Sequence, residues 1–373
     1  MADEPAQQHL PKPALTAERG AGEELLAAGE RICTLLQNQV AAGYPAGATL
    51  VVAGASGPLM KLTAGWSCLA GERVVTGTKT VYDLASLTKV LCTTPLVMAL
   101  AQRGNWDLDD PLAERLDGFP NRTVTLRSLL THSSGLPAHR AFYRLPGGPQ
   151  QVREALYAEA AAPLTAGTVC YSDLGFMLLG WALEQRTGST LEELFRNILA
   201  DPLAMPDTGF RPPAADRGRI AATELDGDQR LLPGLIWGEV HDGNAWALEG
   251  VAGHAGLFGT ADDLAQFGAA LLRPDTHPVL TAASITEMTR LQAGGPPDTR
   301  ALGWRLDASD WGGWPPRTFW HTGFTGTSLL ICPELDTVAV LLMGGVHPKR
   351  QPERQLALRT AIHRELFSAR AGV

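Results

Sequence analysis

Cysteine is scarce in this chain of 373 residues, and the placement of the cysteines argues against two common scaffolds. The thiols are odd in number and show no C-x-x-C spacing: Cys33, Cys68, Cys92, Cys170 and Cys332. Such a pattern favours neither a disulfide framework nor a zinc site. Scattered free thiols suit a reducing compartment, so we predict a cytoplasmic protein.

Long apolar runs and basic clusters are missing as well. No stretch of about 20 apolar residues is available to cross a bilayer. The acidic, polar beginning at 1–8 lacks the positive segment and apolar run of a secretory leader. Lys and Arg number 31 against 39 Asp and Glu, without a basic stripe. We therefore expect no membrane and no nucleic acid as partner, but a small neutral or mixed-charge molecule, and leave the oligomeric state open.

The composition is that of a globular protein with a large core, since 45% of the residues are hydrophobic and 19% are charged. We predict a disordered segment at 1–20 and two lobes, one formed by 21–84 with 300–373 and one, mostly helical, by 85–299. Strands near both chain ends imply one sheet with the helical lobe inserted into it. The predicted strands are 48–53, 59–66, 302–306, 318–321, 327–331 and 337–343, and terminal helices are predicted at 23–42 and 352–368. The buried candidates of the last helix are Leu356, Leu358, Ile362 and Leu366.

The most informative short motif is Ser86-Leu87-Thr88-Lys89, which opens an apolar run with helical spacing. Side chains three residues apart share one face of a helix, so the Ser86 hydroxyl and the Lys89 amine are within hydrogen-bond reach. An unprotonated lysine could activate that serine as a nucleophile, and a helix N-terminus favours developing negative charge. The plainer interpretation is a capping serine beside a solvated lysine.

Two further motifs carry candidate site residues. Tyr171-Ser172-Asp173 precedes a helical pattern, where its second or third residue can cap the helix and the phenol can face a cleft. Alone, it is more simply a half-buried core tyrosine beside a cap. His321-Thr322-Gly323 ends a predicted strand and offers a donor, a hydroxyl and a glycine that lets a ligand approach the backbone. A plain strand end followed by a turn has the same pattern.

Together and in this order, the three motifs resemble the serine β-lactamase and penicillin-binding protein superfamily, closest to its class C β-lactamase, D,D-peptidase and carboxylesterase branch. Leu129 to Leu136 is similar to the Leu-Thr-His-x-Ser-Gly-Leu segment of that branch, and Gly250 to Leu264 is similar to its Gly-rich entry to a helix. The resemblance spans about 45–345. It implies the β-lactamase/transpeptidase-like α/β (α+β) fold, in which an antiparallel sheet formed by both chain ends is flanked by helices and carries an inserted, mostly helical lobe.

The resemblance also implies a serine hydrolase that acts through an acyl-enzyme on a small-molecule acyl substrate, without a metal or other cofactor. Ser86 would be the nucleophile, and Lys89 and Tyr171 would share the general-base and general-acid roles. The backbone N–H groups of Ser86 and Phe324 would form the oxyanion hole. Free lysine and tyrosine both titrate near about 10, so activity near neutral pH needs one lowered pKa, and burial at a helix N-terminus makes Lys89 the expected one.

Substrate contacts are implied for Asp173 and for the His321-Thr322-Gly323 strand end. His241 and Asp242 belong to a polar segment that, with His254, contains metal-capable side chains. Adjacent residues do not make a chelate, so we expect this segment to line the acyl pocket instead. Four tryptophans are open to two interpretations, an aromatic wall for an apolar acyl group or core packing: Trp304, Trp311, Trp314 and Trp320.

Two residues differ from the usual pattern of the superfamily. Asp173 stands where class C β-lactamases carry Asn, and a carboxylate cannot donate a hydrogen bond to the acylamino carbonyl of a β-lactam; it can instead pair with Lys89 and raise its pKa. His321 replaces the more usual Lys and gives a weaker, pH-dependent anchor for a carboxylate. We therefore expect a carboxylesterase or small-amide hydrolase. A D,D-peptidase or weak β-lactamase is the alternative, and a non-catalytic penicillin-binding-like sensor is the second.

Overall fold

Both ends of the chain contribute strands to one antiparallel sheet. The computed structural model describes residues 10–18, 20–71, 73–227 and 233–372. Its strands are β1 (Ala14–Ala17), β2 (Gly47–Gly54), β3 (Gly57–Cys68), β4 (Val74–Val75), β5 (Tyr82–Asp83), β6 (Gly209–Phe210), β7 (Leu257–Gly259), β8 (Ala293–Gly295), β9 (Asp298–Arg300), β10 (Phe319–Thr322), β11 (Ser328–Cys332) and β12 (Thr337–Met343). Its α-helices are α1 (Glu23–Ala41), α2 (Thr94–Ala101), α3 (Leu126–Leu130), α4 (Gly148–Ala161), α5 (Asp173–Thr187), α6 (Leu191–Leu194), α7 (Gly243–Ala247), α8 (Ala261–Leu271), α9 (Ala282–Thr289) and α10 (Pro352–Ala371).

The main sheet has the strand order β1-β3-β2-β12-β11-β10, and β4 pairs with β3. The N-terminal and C-terminal parts of the chain meet in the middle of this sheet, where β2 and β12 pair antiparallel with Val51 opposite Val340. Every residue of these two strands is buried. Near-continuous apolar, β-branched strands of this kind require cover on both faces. The predicted fold class and the sheet formed by both chain ends are confirmed.

Alternate residues of β12 enter two separate cores, as the two-residue period of a strand requires. Val338, Val340 and Leu342 face the larger core, which extends through the inserted helices. Ala339, Leu341 and Met343 face a smaller core beneath α1 and α10. The four tryptophans that the sequence left open to two interpretations are also divided between these two cores. Trp304 lies in the larger core and the other three in the smaller one, all of them buried, so they are core packing and not an aromatic wall.

The chain between β4 and β10 is mostly helix and loop, with a small sheet in the order β5-β7-β6. Strand β5 leads directly to Ser86, and the Leu84 N–H donates to the Leu257 carbonyl oxygen at 2.9 Å, which anchors the start of that turn beside β7. Among the described residues, no helix combines the length and apolar character needed to cross a membrane.

Three local expectations need correction. The disorder predicted for 1–20 does not extend to Ala14–Ala17, because these residues hydrogen-bond along the edge of β3, with Leu15 packed on the smaller core; 1–9 lie outside the described residues. No strand forms at 302–306, because Gly303 turns with φ +78 and its N–H donates to the Leu130 carbonyl at 2.8 Å. Leu356, expected on the buried face of the last helix, is 60% exposed.

Candidate active site

Ser86 is the one partly exposed residue in a buried stretch that runs from Val81 to Leu100. The chain leaves β5 and makes a short 3₁₀ turn at Ala85–Leu87, then a wide π-helical turn at Lys89–Thr93 that continues into α2. The helix start predicted at Ser86 is therefore less regular than an α-helix, but residues 86 and 89 still share one side of it. Because its neighbours are buried, the Ser86 hydroxyl is the group that a ligand can reach.

The Lys89 ammonium lies at the centre of the site. Its Nζ is 3.0 Å from Ser86 Oγ, 2.7 Å from the Tyr171 hydroxyl, 2.7 Å from Asp173 Oδ1 and 3.3 Å from the His254 carbonyl oxygen. The side chain is 0% exposed. An ammonium has three protons to donate and no lone pair to accept with, so four oxygens around it saturate its donors. The three catalytic candidates predicted from the sequence are in mutual contact.

Two opposing effects set the protonation state of Lys89. Burial lowers its pKa, but the Asp173 carboxylate and Tyr171 outweigh burial, and the net pKa is raised above the ordinary value. Burial alone would raise the pKa of Asp173, yet Lys89 and His139 hold it well below its usual range. The expectation that Lys89 has a lowered pKa is therefore wrong, and the lysine is a cation at neutral pH because Asp173 is ionised beside it.

Tyr171 is positioned by the start of α5. Ser172 is the N-cap, accepting from the Gly175 N–H at 3.4 Å and donating to the Pro137 carbonyl at 2.7 Å. The Ser172 N–H donates in turn to His132 Nδ1 at 3.0 Å. These bonds fix the backbone on the C-terminal side of Tyr171, so its phenol points at Lys89 and hydrogen-bonds the Ser86 hydroxyl.

The Tyr171 ring is surrounded by nitrogen-containing side chains. The His132 ring centroid is 4.6 Å from the Tyr171 centroid, that of His321 is 5.9 Å away, and the Arg300 guanidinium lies 5.6 Å from the ring. Burial raises the pKa of Tyr171, whereas Lys89 lowers it, and the net pKa is raised. Tyr171 is therefore a phenol in the resting site, and any phenolate formed there has the Lys89 cation in contact.

The end of β10 packs directly against the serine turn. A Cβ on Gly323 would lie 2.6 Å from the Leu84 carbonyl oxygen and 2.1 Å from Thr327 Oγ1, so only glycine permits this approach. The contact places Gly323, the residue before Phe324, against Leu84 and Ala85, the two residues before Ser86. The oxyanion hole formed by the Ser86 and Phe324 N–H groups stays a prediction. His321 is buried, and burial with the nearby Lys89 and Arg300 charges lowers its pKa well below the ordinary value. It is uncharged at neutral pH and does not supply the pH-dependent cationic anchor expected from the sequence.

Comparison with known proteins identifies the family in which this arrangement occurs. A family model described as Beta-lactamase matches residues 34–362. The chain belongs to the β-lactamase family. It is 32% identical over 367 residues to a putative D-alanyl-D-alanine carboxypeptidase of Escherichia coli O157:H7, covering 86% of this chain and 83% of that protein. It is 30% identical over 369 residues to an N-acetylmuramyl-L-alanine amidase of Bacillus subtilis strain 168, covering 87% and 82%.

A solved structure shows the same fold at greater sequence distance. EstCE1, a hydrolase with promiscuous acyltransferase activity, matches with a TM-score of 0.72 at 22% identity, covering 91% of this chain and 99% of that protein. The superfamily predicted from the three motifs is confirmed. This member of the β-lactamase family is a serine hydrolase.

The polar segment at 241–242 reaches the site of this β-lactamase-family hydrolase through two different contacts. Asp242 caps α7, and its Oδ1 accepts from the Ala245 N–H at 2.8 Å and lies 2.9 Å from His254 Nε2. His254 in turn offers its carbonyl to Lys89. His241 Nε2 lies 3.0 Å from Glu224 Oε2, and the His241 ring stacks on the Phe324 ring with centroids 5.5 Å apart. Within the described part of the chain, no cluster of three or more His, Cys, Asp or Glu side chains could hold a metal ion.

Several residues of the site are not found by sequence reasoning. His132 lies inside a segment that carries the resemblance, but nothing in the local pattern distinguishes it from a structural histidine. His254 was noted from the sequence only as a metal-capable side chain, and its carbonyl contact with Lys89 was not expected. His139, in a loop, has its Nδ1 3.7 Å from Asp173 Oδ2, and Arg300 is the last residue of β9; only the fold brings these two segments to the site. Asp83 is three residues before Ser86, and this proximity in the sequence could have marked it as a residue of the site.

Proposed function

We propose that this β-lactamase-family hydrolase cleaves esters and small amides through an acyl-enzyme on Ser86. The observation that carries the proposal is the placement of Lys89 Nζ within 3.0 Å of Ser86 Oγ, Tyr171 and Asp173 at once. A solvated lysine beside a capping serine makes no such set of contacts. The chain retains Ser86, Lys89 and Tyr171, and the three are connected by hydrogen bonds. This argues against the non-catalytic sensor, since a binding role needs no proton path shared by these side chains.

In the proposed reaction Tyr171 is the general base and Lys89 stays protonated. Tyr171, a phenol at rest, first releases its own proton to water, and the Lys89 ammonium stabilises the resulting phenolate. Ser86 Oγ then attacks the acyl carbon while its proton passes to the phenolate oxygen. Tyr171 then protonates the leaving oxygen or nitrogen, and water releases the acyl group by the same steps in reverse. The Ser86 and Phe324 N–H groups bind the oxyanion, and each such donor contributes about 3 kcal/mol to transition-state stabilisation.

Asp173 and His321 together support the substrate class. A carboxylate at 173 accepts hydrogen bonds but cannot donate one, so it disfavours the acylamino carbonyl of β-lactams and acyl-D-Ala-D-Ala substrates. His321 is uncharged and offers no cation to a substrate carboxylate. A simple ester or small amide presents neither of those groups and is not penalised. We therefore expect ester and small-amide turnover to dominate.

A D,D-peptidase or weak β-lactamase is the second candidate. Its support is the 32% identity, over most of both chains, to a protein named as a putative D-alanyl-D-alanine carboxypeptidase. The 30% identical amidase relative supports amide hydrolysis of either kind. The two candidates share Ser86 chemistry and differ in the groups that the substrate presents to residues 173 and 321.

The test combines labelling with a substrate panel. A fluorophosphonate should add mass to Ser86 alone, and S86A should lower hydrolysis of p-nitrophenyl esters by about a thousandfold or more. Ser133, a partly exposed serine that hydrogen-bonds Thr131, provides the matched control S133A. Nitrocefin and an acyl-D-Ala-D-Ala peptide complete the panel. Labelling of Ser133 in place of Ser86 would overturn the nucleophile, and a higher kcat/KM for nitrocefin than for short esters would replace the first candidate by the second.

We propose the cytoplasm as the working compartment. The chain has five cysteines without paired spacing, and Cys170 is an exposed free thiol directly before Tyr171. An oxidised Cys170 would place a polar or bulky group beside the proposed base, so a reducing environment protects the site. Fractionation of cells producing the native chain should recover it with a cytoplasmic marker, and recovery with a secreted marker would contradict this.

A further inference from the structure

Asp83 is a buried carboxylate whose two oxygens are each used by a different backbone segment. Oδ1 accepts from the Ala85 N–H at 2.8 Å, and Oδ2 accepts from the His241 N–H at 2.6 Å. The residue is 2% exposed, and burial raises the pKa of its carboxyl. Ionised carboxylates that accept two backbone N–H groups form short, strong hydrogen bonds. The side chain thus joins the turn before Ser86 to the segment that carries Asp242.

The backbone around Asp83 is joined to a third segment. Thr325 Oγ1 donates to the Asp83 carbonyl oxygen at 2.7 Å, and Thr327 Oγ1 donates to the Leu84 carbonyl oxygen at 3.2 Å. These hydroxyls belong to the turn that contains Phe324, the second predicted oxyanion donor. Residues 83 and 84 therefore tie the turn that leads into Ser86 to the turn that contains Phe324, the two turns that carry the predicted oxyanion donors.

The conformation before the nucleophile explains why such fixing is needed. Ala85 has φ +48, in the left-handed region that favours glycine, and it immediately precedes Ser86. A non-glycine residue stays there only when its surroundings hold it, and the bond from Asp83 Oδ1 to the Ala85 N–H is one such restraint. Release of that bond lets the turn relax and displaces both the Ser86 hydroxyl and the Ser86 N–H.

We propose that Asp83 is a positioning residue for acyl transfer, holding the Ser86 turn in register with the Phe324 turn and the Asp242 segment. It does not touch the substrate. The inference rests on the proposed Ser86 chemistry, because it assigns Asp83 the task of orienting that nucleophile and its oxyanion donors. Displacements of about 1 Å in such a site cost about a hundredfold in rate.

The experiment compares D83N with a matched buried carboxylate elsewhere. Asn offers one acceptor and turns an N–H group toward the second backbone donor, so one of the two bonds is lost. The control is D263N, because Asp263 is also buried and its Oδ2 accepts from the Asp207 N–H and the Thr208 hydroxyl, both at 2.8 Å. D83N should lower kcat for p-nitrophenyl acetate and the rate of fluorophosphonate labelling by about ten- to a hundredfold, with KM within about twofold.

Thr325 keeps the proposal testable if D83N does not fold. T325V removes the hydroxyl that donates to the Asp83 carbonyl and should lower kcat several-fold, and T325S, which keeps the hydroxyl, should restore it. Equal kcat losses in D83N and D263N, or equal values for T325V and T325S, would overturn the positioning role. If S86A itself retains hydrolysis and labelling, the proposed function fails first, and that outcome is distinguishable because it does not depend on Asp83.

Discussion

Asp173 Oδ1 lies 2.7 Å from Lys89 Nζ, and this buried ion pair determines which group can act as the base. The two side chains are 17% and 0% exposed. Removing one partner of such a pair leaves an uncompensated buried charge and typically costs about 3–5 kcal/mol. In this site the lysine can avoid that cost by releasing its proton. Asp173 therefore controls the protonation state of Lys89.

The first prediction concerns the pH dependence of the unaltered enzyme. If Tyr171 must lose its proton to accept that of Ser86, activity is proportional to the deprotonated fraction, which rises about tenfold per pH unit below the pKa. Burial raises that pKa, so kcat/KM for a p-nitrophenyl ester should rise continuously from about pH 6 to about pH 9. Rates from S86A give the background. Y171F should abolish the rise, and a plateau near neutral pH would contradict the assignment of the base.

The second prediction is that D173N moves this pH dependence to lower pH. Without the carboxylate, burial is the dominant influence on Lys89 and lowers its pKa, so a neutral amine becomes available as base near neutral pH. The rise in kcat/KM should then level off at a lower pH than in the unaltered enzyme. The control is H139Q, which removes the other contact of Asp173 and leaves the Lys89 pair intact. Superimposable profiles for D173N and the unaltered enzyme would contradict the role of the ion pair.

The third prediction uses the same substitution to test substrate selection. Asn at 173 can donate to an acylamino carbonyl, and an unmet polar group of that kind costs about 1–3 kcal/mol. The ratio of kcat/KM for nitrocefin to that for p-nitrophenyl butyrate should therefore increase by about ten- to a hundredfold in D173N. For each variant both substrates are measured at the same pH, so that the change in base cancels in the ratio. An unchanged ratio would mean that residue 173 does not contact the acyl side chain.

Local pattern was enough to place most of the elements that build the site. The helix predicted after Tyr171 begins at Asp173 with Ser172 as its cap and ends at Gly188, whose φ of +71 suits glycine. The strand predicted at 337–343 has the observed bounds. These elements have strong periodicity and clear terminators, so nearest neighbours in the chain decide their structure.

What could not be predicted depends on long-range contacts. Ala14–Ala17 has no strand pattern and becomes β1 only because the edge of β3 offers hydrogen bonds. The raised pKa of Lys89 depends on a carboxylate 84 residues away, and composition cannot say whether burial or that charge is stronger. Arg300, at the end of β9, and His139, in a loop, enter the site from segments whose sequences carry no signal. Distances between segments, and the electrostatics that follow from them, required the folded structure.

The last prediction concerns stability and the buried His363, whose ring stacks on Trp311 at 4.1 Å and whose Nε2 lies 3.0 Å from Ser328 Oγ. Burial, with Arg359, lowers its pKa to about 3. Unfolded histidine titrates near about 6.5, so the unfolded chain binds the extra proton and the free energy of unfolding falls by up to about 1.4 kcal/mol per pH unit between about 6.5 and about 3. In urea titrations H363Q should reduce the acid slope of the free energy of unfolding by about that amount, while other buried histidines such as His277 keep their own contributions. Above about pH 7.5 the slopes of H363Q and the unaltered protein should agree because histidine is then neutral in either state. An unchanged acid slope would show that other groups govern it.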